Sequence, residues 1–122
     1  MPPPPDITSL HARPLNVGLR APFIIASTRL DQVENAAFRI VLKDGTTGWG
    51  ESAALPPVTA ETQADLLSVA TQARSIVSGR NPKDWKDIAE DLADAFPCAP
   101  SARAGIEMAI LDAFAKTIRQ PL

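Results

Sequence analysis

The sequence predicts an α+β domain: a three-stranded antiparallel meander followed by three helices. Three observations carry this. Residues 7–52 hold short stretches in which apolar and polar side chains alternate. Residues 60–119 repeat apolar side chains at the three-or-four spacing of helices. All the strand-like segments precede all the helix-like ones, an order that segregates sheet from helices and does not build a doubly wound sheet.

Ile7 to Val17 reads as the first strand. Ile7, Ser9, His11 and Arg13 share one face; Thr8, Leu10, Ala12 and Pro14 share the other. Pro14 cannot donate to a ladder, so it belongs near an edge or bulge. Gly18 and the following Pro22 mark 16–21 as a turn or loop. Val33 to Lys43 is the clearest strand, with Phe38, Ile40 and Leu42 on one face. Asp44-Gly45 follows, and its tolerance of positive φ predicts a tight primed turn. Thr46 to Glu51 then returns antiparallel.

Pro56-Pro57 ends the sheet region. Thr59 is placed to cap a helix over 60–78, with Glu61 in its first turn and Gly79 beyond its end. Leu66, Leu67, Ala70, Ala73, Arg74 and Val77 make its inner face. Asn81-Pro82 opens a second helix to about residue 95, carrying Trp85, Ile88, Leu92 and Phe96. Ser101 caps a third, over 101–119, with Ala102, Ile106, Ala109, Ile110, Ala113 and Phe114 inward. Gly105 weakens that helix by about 1 kcal/mol relative to alanine, so a small residue there predicts another element packed close. The organisation expected is a frayed proline-rich tail over 1–5, a domain over 6–100, and the third helix over 101–122.

Composition narrows the functions. The chain has 122 residues, 45% apolar and 21% charged, with net charge −2. That balance fits a soluble globular domain and gives no electrostatic footprint for nucleic acid or an anionic membrane. Its apolar runs are too short to span a bilayer. The start lacks the basic-then-apolar pattern of a secretory signal, so cytoplasm is the expected compartment. Cys98 is the only cysteine and His11 the only histidine, which leaves no intramolecular disulfide and no histidine pair for a metal or proton relay. No GxGxxG, P-loop or HExxH occurs, and Ser52 after Gly-Trp-Gly-Glu lacks the frame of a hydrolase elbow. Asp84, Asp87, Glu90, Asp91 and Asp94 share a helix with Lys83 and Lys86 and read as a solvated face. Residue chemistry alone therefore yields a fold class and no reaction.

Three segments in order resemble the N-terminal domain of the mandelate racemase/muconate-lactonizing group of the enolase superfamily. They are Arg13-Pro14-Leu15 with Arg20-Ala21-Pro22-Phe23, then Lys43 to Glu51 with its Asp-Gly and Gly-Trp-Gly-Glu, then Ser101 to Lys116 with its Glu-Met-Ala-Ile-Leu-Asp core; Pro121-Leu122 follows as in the family. The resemblance is greatest to dipeptide (L-Ala-D/L-Glu) epimerases. Muconate cycloisomerase and o-succinylbenzoate synthase share the same architecture, and a stand-alone non-catalytic binding domain is the rival from another class.

The resemblance implies a cap over a C-terminal (β/α) barrel that is absent from this chain, and a homo-oligomer. It implies a Mg²⁺-dependent isomerase that abstracts a proton α to a carboxylate, with Mg²⁺ ligands and lysine bases in the barrel, so no catalytic or metal residue is expected here. It implies a small carboxylate substrate, a dipeptide, touched by two cap loops, 22–30 and 52–59. The substrate-binding candidates are Arg29 and Thr28, with Phe23, Ile24, Ile25 and Leu55 as apolar wall. A guanidinium fork at Arg29 matches a carboxylate bidentately. Glu51 is assigned to structure, closing the hairpin or receiving a loop amide.

Overall fold

The computed structural model describes residues 2–122; Met1 of the expected tail lies outside the described residues. The strands are β1 (Ile7–Ile25), β2 (Thr28–Leu42) and β3 (Thr47–Ser52), joined as an antiparallel sheet in the order β1-β2-β3. Three helices follow: α1 (Gln63–Val77), α2 (Trp85–Ala95, led in by a 3₁₀ turn at Pro82–Asp84) and α3 (Pro100–Thr117). The predicted meander and helix order are both present.

Period-two alternation sets the inner face of the sheet. Ala36, Phe38, Ile40 and Leu42 of β2 are buried; Ile7 and Leu10 of β1, expected on opposite faces, are both buried because the register shifts by one residue between Ile7 and Ser9. The helices bury Leu66, Ala70, Ala73 and Val77 of α1, Ile88 and Leu92 of α2, and Ala102, Ile106, Ala109, Ile110 and Ala113 of α3 into the same core. Arg74 leaves that face at its head: its Nε donates to the Leu10 carbonyl at 3.0 Å, tying α1 to the outer strand.

α3 lies almost directly on β3. A Cβ at Gly48 would strike the Ala109 carbonyl and one at Gly50 the Gly105 carbonyl, while a Cβ at Gly105 would strike Ser52 Oγ and the Phe38 ring. The contact requires small residues on both elements, as Gly105 predicted. The outer edge of β3 is closed by the same helix. The Trp49 amide donates to Asp112 Oδ2 at 2.9 Å, and Lys116 Nζ donates to the Thr47 carbonyl at 2.7 Å. An Asp112–Lys116 ion pair at 3.1 Å links the two.

Several local expectations are corrected. The chain does not form a loop over 16–30. β1 runs through to Ile25, and the turn falls at Ala26-Ser27. Gly18 pairs with Gln32 and Phe23 with Leu30, so residues 19–22 bulge opposite Asp31 alone. Pro22 sits within that bulge, where it has no ladder bond to forfeit. The Asp44-Gly45 turn is tight but not primed: only Gly45 has positive φ, at 89°, and its amide donates to the Leu42 carbonyl at 2.9 Å. That is a type I turn closed by a left-handed glycine. Asp44 Oδ1 accepts from the Thr46 amide at 2.9 Å, and this bond holds its carboxyl below the usual value.

Helix starts moved as well. Thr62, not Thr59, caps α1, in a reciprocal capping box with Asp65. α3 begins at Pro100, and Ser101 lies inside it. Gly79 follows α1 with φ 80°, and Asn81 Oδ1 accepts from the Lys83 amide as a cap. Asn81 Nδ2 also donates to the Pro4 carbonyl at 2.6 Å, which fastens the end of the proline-rich segment. No helix is long and apolar enough to cross a membrane among the described residues.

Candidate functional site

β3 pairs with β2 only over residues 36–41, so beyond Ala36 the β1–β2 hairpin continues as a two-stranded arm. The segment after β3 turns up beside this arm. Where they meet lie two adjoining cavities. The first, about 250 Å³, is walled by Leu19, Phe23, Leu30, Val33, Ala53, Ala54 and Leu55, with Asn35 as its polar contribution. The second, about 430 Å³, is polar: Arg29, Asp31, Gln32, Glu34, Thr62 and Gln63 line it with Leu30, Ala54 and Pro56. Leu30 and Ala54 border both, so the two cavities are neighbours, an apolar lobe and a polar one.

The expected site residues divide accordingly. Phe23 and Leu55 line the apolar lobe. Arg29 lines the polar lobe, with its guanidinium on Asp31 at 3.4 Å and both side chains largely exposed, 61% and 74%. An exposed pair of this kind holds its partner weakly, by about 0–1 kcal/mol. Ile24 pairs with Arg29 across the arm and is 67% exposed, on the face turned away from Phe23. Ile25 and Thr28 pair beside the turn and line neither cavity. The structure thus joins Phe23 with Leu55 and leaves Ile24, Ile25 and Thr28 at the tip.

Leu19, Leu30, Val33 and Ala54 escaped the sequence reading. Strict alternation along β2 would put Leu30 and Val33 on opposite faces; the bulge at 19–22 re-aims the arm so that both reach one cavity. A bulge of that size has no short-range signature beyond Gly18 and Pro22.

A hydrogen-bond network steadies the two lobes from below. Asn35 Nδ2 donates to Glu51 Oε2 at 2.7 Å, so Glu51 receives a side-chain amide from the adjacent strand. Gln63 Nε2 donates to the Asn35 carbonyl and to Asn16 Oδ1, at 2.9 and 2.7 Å, coupling α1 to the root of the arm. Glu61, expected in the first turn of the first helix, lies outside it. It precedes α1, is 5% exposed, and accepts from the Ser101 and Ala102 amides at 2.8 and 2.9 Å. It caps α3 from forty residues upstream, where the helix dipole favours a carboxylate.

No group of three or more His, Cys, Asp or Glu side chains among the described residues could hold a metal ion. The residues of this chain therefore do not fit Mg²⁺, and no chemical step is assigned to such an ion here.

Residues 7–122 match the mandelate racemase/muconate lactonizing enzyme N-terminal domain, and the chain belongs to that family. Its relatives include an L-Ala-D/L-amino acid epimerase of Populus trichocarpa, 45% identical across 96% of this chain and 28% of the relative. An aromatic dipeptide epimerase of Herpetosiphon aurantiacus is 35% identical across 98% of this chain and 33% of its own length. Among solved structures, the dipeptide epimerase of Enterococcus faecalis V583, complexed with Mg and the dipeptide L-Leu-L-Tyr, superposes with TM-score 0.89 at 26% identity, covering 93% of this chain and 32% of that one. The chain thus spans about a third of the length of these relatives.

Proposed function

We propose that this chain is the substrate-specificity cap of a Mg²⁺-dependent isomerase that abstracts a proton α to a carboxylate, and that the whole protein is a dipeptide epimerase. The observation that carries this reading is the adjoining apolar and polar lobes, in a family whose relatives above are named as an L-Ala-D/L-amino acid epimerase and an aromatic dipeptide epimerase. The metal ligands and proton-transferring bases are assigned to a C-terminal barrel outside this chain. The cap's work is to exclude water and grip the part of the substrate distant from the reacting carbon.

The apolar lobe favours one kind of side chain. Its walls are aliphatic and aromatic, so an ionised substrate side chain would enter with little to replace its water, whereas an apolar one gains about 25 cal/mol per Å² buried. Arg29 is the cap's candidate for a carboxylate, at the polar lobe, but Asp31 already occupies part of its field. An apolar second residue in the dipeptide is therefore favoured over glutamate. The test is α-proton exchange into deuterated water by the full-length protein with Mg²⁺, over L-Ala-L-Xaa dipeptides. Exchange with kcat/KM highest for apolar Xaa supports the reading; no exchange on any dipeptide refutes it.

A further inference from the structure

We infer that Glu61 and Ser101 are positioning residues that set the place of the cavity wall Ala54-Leu55. Both stems of the segment that carries this wall end on the first turn of α3. On the incoming side, Ser52 Oγ donates to the Ser101 carbonyl, and Ser101 Oγ donates to the Ala53 carbonyl at 2.7 Å. On the outgoing side, Glu61 takes the Ser101 and Ala102 amides on its two carboxylate oxygens. Between the stems, Thr59 Oγ1 accepts from the Leu55 amide at 2.9 Å and donates to the Glu61 carbonyl at 3.1 Å, and the Thr59 amide donates to the Leu55 carbonyl at 2.8 Å. The segment is a closed loop whose base is one helical turn.

A side-chain acceptor needed only to cap α3 could come from position 99, where serine, threonine or aspartate normally serves. This chain has Ala99 there, with no side-chain cap bond, followed by Pro100. Taking the cap from residue 61 makes the helix end and the loop exit one unit. Burial strengthens the coupling, because a carboxylate 5% exposed has no water to fall back on if the loop shifts. The wall then faces Phe23 and Leu30 of the arm across a gap fixed from the α3 side.

The role in substrate selection rests on the proposed epimerase; the role in fixing the loop does not, and two readouts separate them. In full-length protein, Glu61→Gln keeps the side-chain length and loses one acceptor. Amide hydrogen exchange over 53–60 should quicken about tenfold or more. KM for an apolar dipeptide should rise several-fold with kcat within about twofold, the pattern of lost uniform binding. Ser101→Ala, which removes the tie to Ala53 and keeps both backbone donors to Glu61, should act in the same direction and less; it keeps the test open if Glu61→Gln does not fold. Faster exchange confined to the first turn of α3, with 53–60 unchanged, would make Glu61 a helix cap only and overturn the inference. Faster loop exchange with unchanged KM would overturn the selection role. Wild-type protein that turns over no dipeptide would refute the epimerase reading and leave the exchange result to decide the loop.

Discussion

Replacing Gly105 with alanine sets two effects of known size against each other. In an exposed helix the change stabilises by about 1 kcal/mol through propensity. Here the added Cβ would overlap Ser52 Oγ and two carbons of the fully buried Phe38 ring. Neither can simply swing away, since Ser52 Oγ is bonded to the Ser101 carbonyl and Phe38 is packed in the core. α3 must retreat, at an overpacking cost of about 1–3 kcal/mol. The retreat also weakens the Ser52–Ser101 bond, worth about 1 kcal/mol. The net expectation is destabilisation by about 1–3 kcal/mol, or roughly 4–8 °C of Tm per kcal/mol for a domain near this size. Urea unfolding of Gly105→Ala and wild type, followed by far-ultraviolet circular dichroism, reads the difference directly. An unchanged or raised midpoint would mean that α3 does not sit on β3 as described.

Other outcomes follow from single contacts. Arg29→Ala in the full-length protein should lower kcat/KM for an acidic dipeptide about tenfold relative to an apolar one; equal loss on both would make Arg29 a support for the arm. The Asp65 carboxyl is held below its ordinary 3.8 chiefly by the Thr62 amide. Because the folded value is the lower one, the stabilisation is full above the unfolded value and fades as pH falls through the folded value. Asp65→Asn should flatten that acid-side slope in a pH series of unfolding midpoints. Calorimetric titration of residues 1–122 with Mg²⁺ should show no tight binding, since no cluster of metal-ligating side chains occurs among the described residues.

The order of strands and helices was legible because each rests on local periodicity. The Phe38-Ile40-Leu42 face and the Leu66-Ala70-Ala73-Val77 stripe were read directly, and both are buried. The close approach at Gly105 was legible because glycine within a helix is costly and so marks a neighbour. What failed was set by distant partners. Pro22 and Gly18 read as a loop, yet the partner strand carries β1 past them as a bulge. Thr59 and Glu61 read as a helix start, yet the first ties the loop and the second caps a helix forty residues on. Ile110 was expected on the third helix's inner face, and it is buried there. Of the candidate wall, Phe23 and Leu55 reach the cavity while Ile24 does not, a distinction fixed by the register of the arm.

The central claim is that the apolar lobe reads the substrate's side chain. Leu55→Asp places a carboxylate in the wall without touching the sheet or the α3 anchor. Steady-state kinetics of the full-length protein with Mg²⁺, for L-Ala-L-Leu against L-Ala-L-Lys, test it most directly. The expected result is a kcat/KM for the leucine dipeptide lowered about tenfold or more, with the lysine dipeptide unchanged or improved. Equal effects on the two substrates would contradict a side-chain-reading cap.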